Sequence, residues 1–207
     1  MGTKVFFFTA SSYARYDRGN DRVDDGYPLP IAGNWSGLNE AGFGSNITAA
    51  VNWGNGKVFF FHNDQYVRYD IVNDSVDDGY PLPIAGNWPG FSDEGFAGGI
   101  DTAININWGN GKAYFFHNDQ YLRYDIASDK VDSGYPLPIT GNWPGFSDVG
   151  FASGIDAAIN WGNGKVFFFH NDQYVRYDIA NDSVDAGYPL PIAGNWPGFN
   201  EIGIPQT

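Results

Sequence analysis

One stretch recurs four times and leaves the chain few ways to fold. Its clearest copy is residues 164–199, GKVFFFHNDQYVRYDIANDSVDAGYPLPIAGNWPGF. Residues 56–91 and 111–146 repeat it almost letter for letter, and residues 3–38 are a looser version. An arginine marks the same place in each copy, Arg15, Arg68, Arg123 and Arg176, so the spacings are 53, 55 and 53 residues. A period of about 50 is too long for most helical solenoids and suits the blade of a propeller. Four units, roughly 1–45, 46–98, 99–153 and 154–207, account for nearly all 207 residues and predict a single domain.

Within a unit, four short apolar runs alternate with turn signals, the pattern of an all-β chain. In the best-defined copy these are residues 155–161 (IDAAINW), 166–170 (VFFFH), 173–179 (QYVRYDI) and 188–192 (YPLPI). Gly162, Asn163 and Gly164 form the first turn, with glycine supplying positive φ, and Asn171 and Asp172 form the second. The last run holds Pro189 and Pro191, which cannot donate to a ladder and so place it at a sheet edge. The second run is apolar on both faces, Val166 and Phe168 on one, Phe167 and Phe169 on the other. A sheet packed between two neighbouring sheets needs that pattern. Small alanines in the first run, such as Ala157 and Ala158, suit a crowded strand near an axis. That run occurs three times, at 47–53, 100–108 and 155–161; the second copy carries two extra residues, Ile104 and Asn105, predicting a longer inner hairpin. The first unit has no such run before it. Residues 204–207 are the candidate to supply it and close the ring; the alternative is completion by another copy of the chain, a homo-oligomer.

Composition narrows the partners. With 43% hydrophobic residues the chain can build a large core, and with no cysteine it does so without disulfides. The net charge of −13 argues against nucleic acid and anionic membranes and permits cations. No apolar run approaches the ~20 residues of a membrane span, and no secretory leader precedes the first repeat, which reads as a cytosolic or non-classically secreted protein. There is no HExxH, no GxSxG, no glycine-rich loop leading into a helix and no cysteine nucleophile. The many acids repeat with the unit, whereas an active site is singular; the expectation is a binding protein, not an enzyme.

The order DAA, GKVFFF, DQYVRYD, GYP and WPGF, carried here by Asp156–Ala158, 164–169, 172–178, 187–189 and 196–199, resembles the hemopexin-like repeat. The resemblance covers essentially the whole chain and implies an all-β, four-bladed β-propeller. A single cysteine-free domain is similar to the plant seed albumins and lectins of this fold. The resemblance further implies calcium in the central channel, with sodium or chloride as companions, held by main-chain carbonyls. Carried over by position, these belong to Thr48, Asp101 and Asp156, with Pro205 as a doubtful fourth. Backbone oxygens are hard ligands suited to such a cation. It argues against haem, which the serum member holds between two propellers.

Four tryptophans, Trp35, Trp88, Trp143 and Trp196, occupy the family's buried corner. The other three, Trp53, Trp108 and Trp161, sit in NWGNG turns beside Asn55, Asn110 and Asn163. An exposed indole next to amides offers what a sugar needs, an apolar face and hydrogen-bonding edges. These residues are the candidate site for glycans or another small-molecule ligand; the competing reading packs each indole on the next blade. His62, His117 and His170 are related by the repeat, too far apart to share one metal, and read as turn residues. Arg and Asp in YxRYD (Arg15 with Asp17, Arg68 with Asp70, Arg123 with Asp125, Arg176 with Asp178) share a strand face and predict a structural ion pair.

Overall fold

The computed structural model describes residues 4–106 and 111–200. Among them the chain is all strand and turn, without an α-helix, and builds four antiparallel sheets. Blade 1 holds β1 (Lys4–Phe8), β2 (Ser12–Asp17), β3 (Arg22–Val23) and β4 (Leu29–Pro30). Blade 2 holds β5 (Ala49–Asn52), β6 (Lys57–His62), β7 (Gln65–Asp70), β8 (Ser75–Val76) and β9 (Leu82–Pro83). Blade 3 holds β10 (Thr102–Ile104), β11 (Lys112–His117), β12 (Gln120–Asp125), β13 (Lys130–Val131) and β14 (Leu137–Pro138). Blade 4 holds β15 (Ala157–Asn160), β16 (Lys165–His170), β17 (Gln173–Asp178), β18 (Ser183–Val184) and β19 (Leu190–Pro191). The three inner strands β5, β10 and β15 neighbour one another, and the sheets stack around them as a four-bladed β-propeller.

The outer edge of each blade is split. In blade 4, β18 covers one end of β17 and β19 the other, with Pro191 opposite Gln173. The predicted fourth run thus shortens to Leu190–Pro191, and Ser183–Val184 adds a pairing the proline-centred reading did not include. At the longer inner hairpin expected from Ile104 and Asn105, the two extra residues do not lengthen the strand, since β10 has three residues against four in β5 and β15. The tip of that hairpin, 107–110, and the tail proposed for ring closure, 204–207, lie outside the described residues.

Burial follows the alternation read from the second run. Val166 and Phe168 enter the cluster shared with blade 3, around Trp143 and Phe146. Phe167 and Phe169 face the cluster shared with blade 1, around Trp196 and Phe199. Each of the four clusters lies between two blades, so the core consists of seams, and no sheet could bury both faces alone. A backbone bond fixes every seam. Val76 N–H donates to Ser36 (3.0 Å), Val131 to Pro89 (3.1 Å), Val184 to Pro144 (3.2 Å) and Val23 to Pro197 (3.0 Å). The last joins blade 4 to blade 1, so the ring closes within one chain.

Polar stitching inside each blade is equally regular. Tyr16, Tyr69, Tyr124 and Tyr177 are fully buried, and each hydroxyl donates to Oδ1 of an aspartate five residues on, Asp21, Asp74, Asp129 or Asp182, at 2.8 Å. Burial pushes these phenols well above their ordinary range, and the carboxylate partner adds to it. The four aspartates hold φ near +50°, between 49° and 54°, a conformation that short Asp and Asn side chains tolerate.

Glycine at the corner is demanded twice over. Gly198 has φ +94°, and a Cβ there would lie 2.6 Å from Cβ of Val23 across the seam. Gly194 has φ +81° with nothing within 4 Å. Gly194→Ala is therefore expected to cost about 1–2 kcal/mol from backbone strain alone, and Gly198→Ala about 2–5 kcal/mol once overpacking is added. Chemical denaturation of both variants checks this; equal losses would mean that the blade 4–blade 1 seam is not tightly closed.

Candidate functional site

Three places on this scaffold carry the residues singled out by the sequence: the axis, the hairpin tips at one end of the inner strands, and the turns at the other. At the axis the three copies behave alike. The N–H groups of Thr48, Asp101 and Asp156 donate to the carbonyls of Phe61, Phe116 and Phe169, each at 2.9 Å. The next residues, Ala49, Thr102 and Ala157, stand opposite those same phenylalanines. Two residues against one is the geometry of a β-bulge, which lifts a residue out of the ladder. Among the described residues, no backbone N–H donates to the carbonyl oxygens of Thr48, Asp101 or Asp156.

The carboxylates at these positions are engaged elsewhere. Asp101 accepts from the N–H of Asn118 (2.5 Å) and Asp156 from that of Asn171 (2.6 Å). The Thr48 hydroxyl instead donates to the Phe61 carbonyl (3.2 Å). Replacement of Asp by Thr thus leaves the main chain of the bulge intact. Among the described residues no group of three or more His, Cys, Asp or Glu could hold a metal, and the oxygens left without a backbone donor at these positions are main-chain carbonyls. That set matches a hard cation such as calcium or sodium. Along the inner strands, the Asn105 amide donates to the Asn52 carbonyl (3.4 Å) and the Asn160 amide to the Asn105 carbonyl (3.2 Å). The inserted Asn105 therefore laces three blades together, a role its position in the sequence did not disclose.

The histidines close the far end. His62, His117 and His170 each meet the ring of a phenylalanine from the preceding connection, Phe43, Phe96 and Phe151, at 5.7 Å. Their Nδ1 atoms lie 2.6 Å from the Asn46 carbonyl, 3.2 Å from Asp101 Oδ1 and 3.4 Å from Asp156 Oδ2. The turn clamps the start of the inner strand, and no two of these histidines come together.

Of the tryptophans of the NWGNG turns, the two described, Trp53 and Trp161, pack toward the next blade, as the second of the two readings has it. Trp53 is half-buried, 5.2 Å from Phe59 and 5.5 Å from Trp88, and reaches Tyr124 of the next blade at 6.1 Å. Trp161 is half-buried against Phe167 (5.1 Å) and Trp196 (5.7 Å), and reaches Tyr16 of blade 1 at 6.4 Å. Arg18 lies over the Trp161 ring at 5.5 Å and donates to its carbonyl. Each indole thus seals one end of a seam and keeps part of its surface open. Asn55 and Asn163 beside them are exposed, whereas Trp108 and Asn110 lie outside the described residues. The corner tryptophans are buried as the repeat implies, except Trp35, which is half-buried.

The YxRYD pairing is corrected. Arg and Asp share a face but not a bond. Arg176 Nε reaches Asp185 (2.5 Å), while Asp178 is held by Lys165 (2.7 Å), whose Nζ also meets Asp185 (2.8 Å). The same circuit is Lys57, Arg68, Asp70 and Asp77 in blade 2, and Lys4, Arg15, Asp17 and Asp24 in blade 1. Each arginine also stacks on the tyrosine of its GYP turn, as Arg176 does on Tyr188 at 5.4 Å. The circuit ties strands within a blade, not blade to blade.

With this geometry in place, comparison with known proteins identifies the class. The hemopexin repeat profile matches four segments, residues 2–40, 47–93, 100–148 and 155–201. The chain belongs to the hemopexin repeat family. It is 30% identical to albumin-2 of Lathyrus sativus, over 96% of this chain and 92% of that protein. Among solved structures, it superposes on a Cicer arietinum plant lectin described as having two metal binding sites, with a TM-score of 0.87, 23% identity and coverage of 100% and 95% of the two chains. It superposes equally on a Cicer arietinum plant albumin described as showing hemagglutination, with a TM-score of 0.87, 21% identity and coverage of 100% and 95%.

The ion circuit gives the fold a pH signature. Lys4, Lys57 and Lys165, followed by the turn N–H groups they share a carboxylate with, hold Asp17, Asp70 and Asp178 down at about 2, against 3.8 for a free carboxyl. Depressed carboxylates stabilise the folded state above their unfolded pKa, and that stabilisation is lost as pH falls through the folded value. The melting temperature is expected to be level from pH 7 to 5 and to fall between pH 4 and 2. Lys165→Met should lower the plateau and shrink the acid-side drop; an unchanged drop would show that these carboxylates are not held by lysine.

Proposed function

We propose that the protein is a non-enzymatic, multivalent carbohydrate-binding propeller of the lectin type, with a cation on its axis. The observation that carries this reading is the pairing of exposed Asn55 and Asn163 with the partly open indoles of Trp53 and Trp161, at equivalent tips of separate blades. The face of an indole takes the C–H side of a pyranose, and the amide beside it can bond ring hydroxyls. Trp108 and Asn110 complete the set by repeat position. Equivalent weak sites on one rigid ring gain ~10²–10⁴ in apparent affinity on a surface that carries many copies of a sugar. The lectin and hemagglutination descriptions of the two Cicer structures motivate the same assay.

The axial oxygens of Thr48, Asp101 and Asp156 would hold calcium, with sodium or chloride as companions, and the ion would brace the inner strands rather than touch the sugar. A second reading rests on these unbonded carbonyls together with the net charge of −13: a binder of cations or polyamines of the seed-albumin kind, in which the tips have no ligand. A glycan array run with and without a calcium chelator separates the two. Binding to a defined sugar class is expected; silence on every glycan, together with tight calcium or spermine binding by calorimetry, would replace the lectin reading with the second.

Mutations at the tips test the division of labour. Asn55→Ala with Asn163→Ala is expected to weaken glycan binding at least about tenfold with no change in melting temperature. Trp161→Ala is expected to cost about 2–4 kcal/mol, because it opens one end of the blade 4–blade 1 seam. If the asparagine pair left glycan binding unchanged, the tips would not be the site.

A further inference from the structure

One hairpin tip is written twice with the same letters. Residues 53–63 and 161–171 both read WGNGKVFFFHN, so each tip presents an Asn-Gly pair, Asn55-Gly56 and Asn163-Gly164, in an identical local sequence. Asn55 and Asn163 are exposed. An asparagine before glycine is the one whose side-chain amide is most open to attack by its own main chain, because glycine sets no Cβ beside the following nitrogen and leaves that peptide free to turn. Other asparagines are tied down. At the GNW corners Asn34, Asn87, Asn142 and Asn195 each donate to the carbonyl of a proline four residues earlier, at 2.9 or 3.0 Å. Asn73 and Asn181 donate to Asp70 (3.1 Å) and Asp178 (3.0 Å).

The two tips share a main-chain frame and differ in one bond. Trp53 N–H donates to the Lys57 carbonyl and Trp161 N–H to that of Lys165, both at 2.9 Å; Ile71 and Ile179 donate to Gly56 and Gly164, both at 3.0 Å. In blade 2 alone, the N–H of Lys57 also donates to Asn55 Oδ1, at 3.2 Å. A bond from the N–H two residues on folds an asparagine side chain back over its own peptide, toward the Gly56 nitrogen. It also aims a donor at the oxygen on which negative charge gathers when Cγ is attacked. Among the described residues, Asn55 Nδ2 and the Gly56 N–H make no hydrogen bond, so neither the leaving group nor the nucleophile is held. A Cβ at Gly56 would meet nothing within 4 Å, so a ring closing there has room. Asn163 Oδ1 accepts no bond from Lys165 among the described residues.

We propose that Asn55 is a site of spontaneous modification, where the folded tip converts asparagine to aspartate and isoaspartate ahead of its twin Asn163. The Gly56 nitrogen attacks Cγ of Asn55 and forms a C–N bond. The bond from Cγ to Nδ2 breaks, and ammonia leaves with the proton given up by the Gly56 N–H. Water adds to one of the two carbonyls of the resulting cyclic imide and opens it. Opening on one side leaves aspartate; opening on the other leaves isoaspartate, with an extra carbon in the main chain of the tip. Positioning of the side chain and the Lys57 N–H both favour the attack in the folded state. Each conversion adds one negative charge and removes the amide assigned above to sugar hydroxyls, so the blade 2 tip would limit its own lifetime as a binding site. That consequence rests on the sugar reading of the tips, whereas the conversion does not.

The test ages the full chain at neutral pH, folded in buffer and unfolded in denaturant, and follows each asparagine by peptide mapping and mass spectrometry, with isoaspartate read separately. In the unfolded chain Asn55 and Asn163 should convert at the same rate, because the residues around them are identical. In the folded chain Asn55 should convert at least about threefold faster than Asn163, the weight of one exposed hydrogen bond, while the corner asparagines keep their amides. Equal rates at Asn55 and Asn163 in the folded chain, Asn163 ahead of Asn55, or a folded chain that keeps both amides while the unfolded chain loses them would overturn the proposal.

Discussion

The seam between adjacent blades is the constraint on which the structure depends. Each strand of the VFFFH type is apolar on both faces, so a single sheet leaves one face in water whatever it packs against. Only a closed stack satisfies every copy at once, and four copies close it. The corner tryptophan and phenylalanine are inserted between blades, and glycine at the corner lets one backbone come within hydrogen-bond distance of the next blade's outer valine. Buried corner indoles whose Nε1 finds no oxygen, as at Trp88 and Trp196, are surrounded edge-to-face by rings, a setting in which the N–H can point at a π face.

Polar interactions work at a different level. The Lys–Asp–Arg circuit and the buried Tyr–Asp bond lie inside blades, where they fix turn geometry and strand register, while adhesion between blades is mostly apolar. Among the described residues, this separation leaves unbonded groups at two places, the main-chain carbonyls of the bulges and the exposed asparagines of the hairpin tips.

Much of this was legible in the sequence because the signals are local and repeated. The period, the two-faced VFFFH run and the glycine turns lead directly to blades, and the Asp-Ala-Ala run to an inner strand. What escaped reading depends on partners far apart in sequence. Arg176 and Asp178 share a face, but the bonds go to Asp185 and Lys165, on neighbouring strands that alternation alone does not specify. For Trp53 and Trp161 the sequence left two readings open, an exposed site or packing on the next blade, and it did not name the partners, Tyr124 and Tyr16 of the next unit. Asn105 looked like a neutral insertion because its partners, Asn52 and Asn160, belong to the two flanking blades.

If the core consists of shared seams, no blade has a stability of its own, and the ring must unfold as one unit. Differential scanning calorimetry measures this directly. A single transition with equal calorimetric and van't Hoff enthalpies is the result expected for four seams closed in one chain. Resolved transitions, or a van't Hoff enthalpy near one quarter of the calorimetric value, would mean that the blades fold independently and would contradict the account.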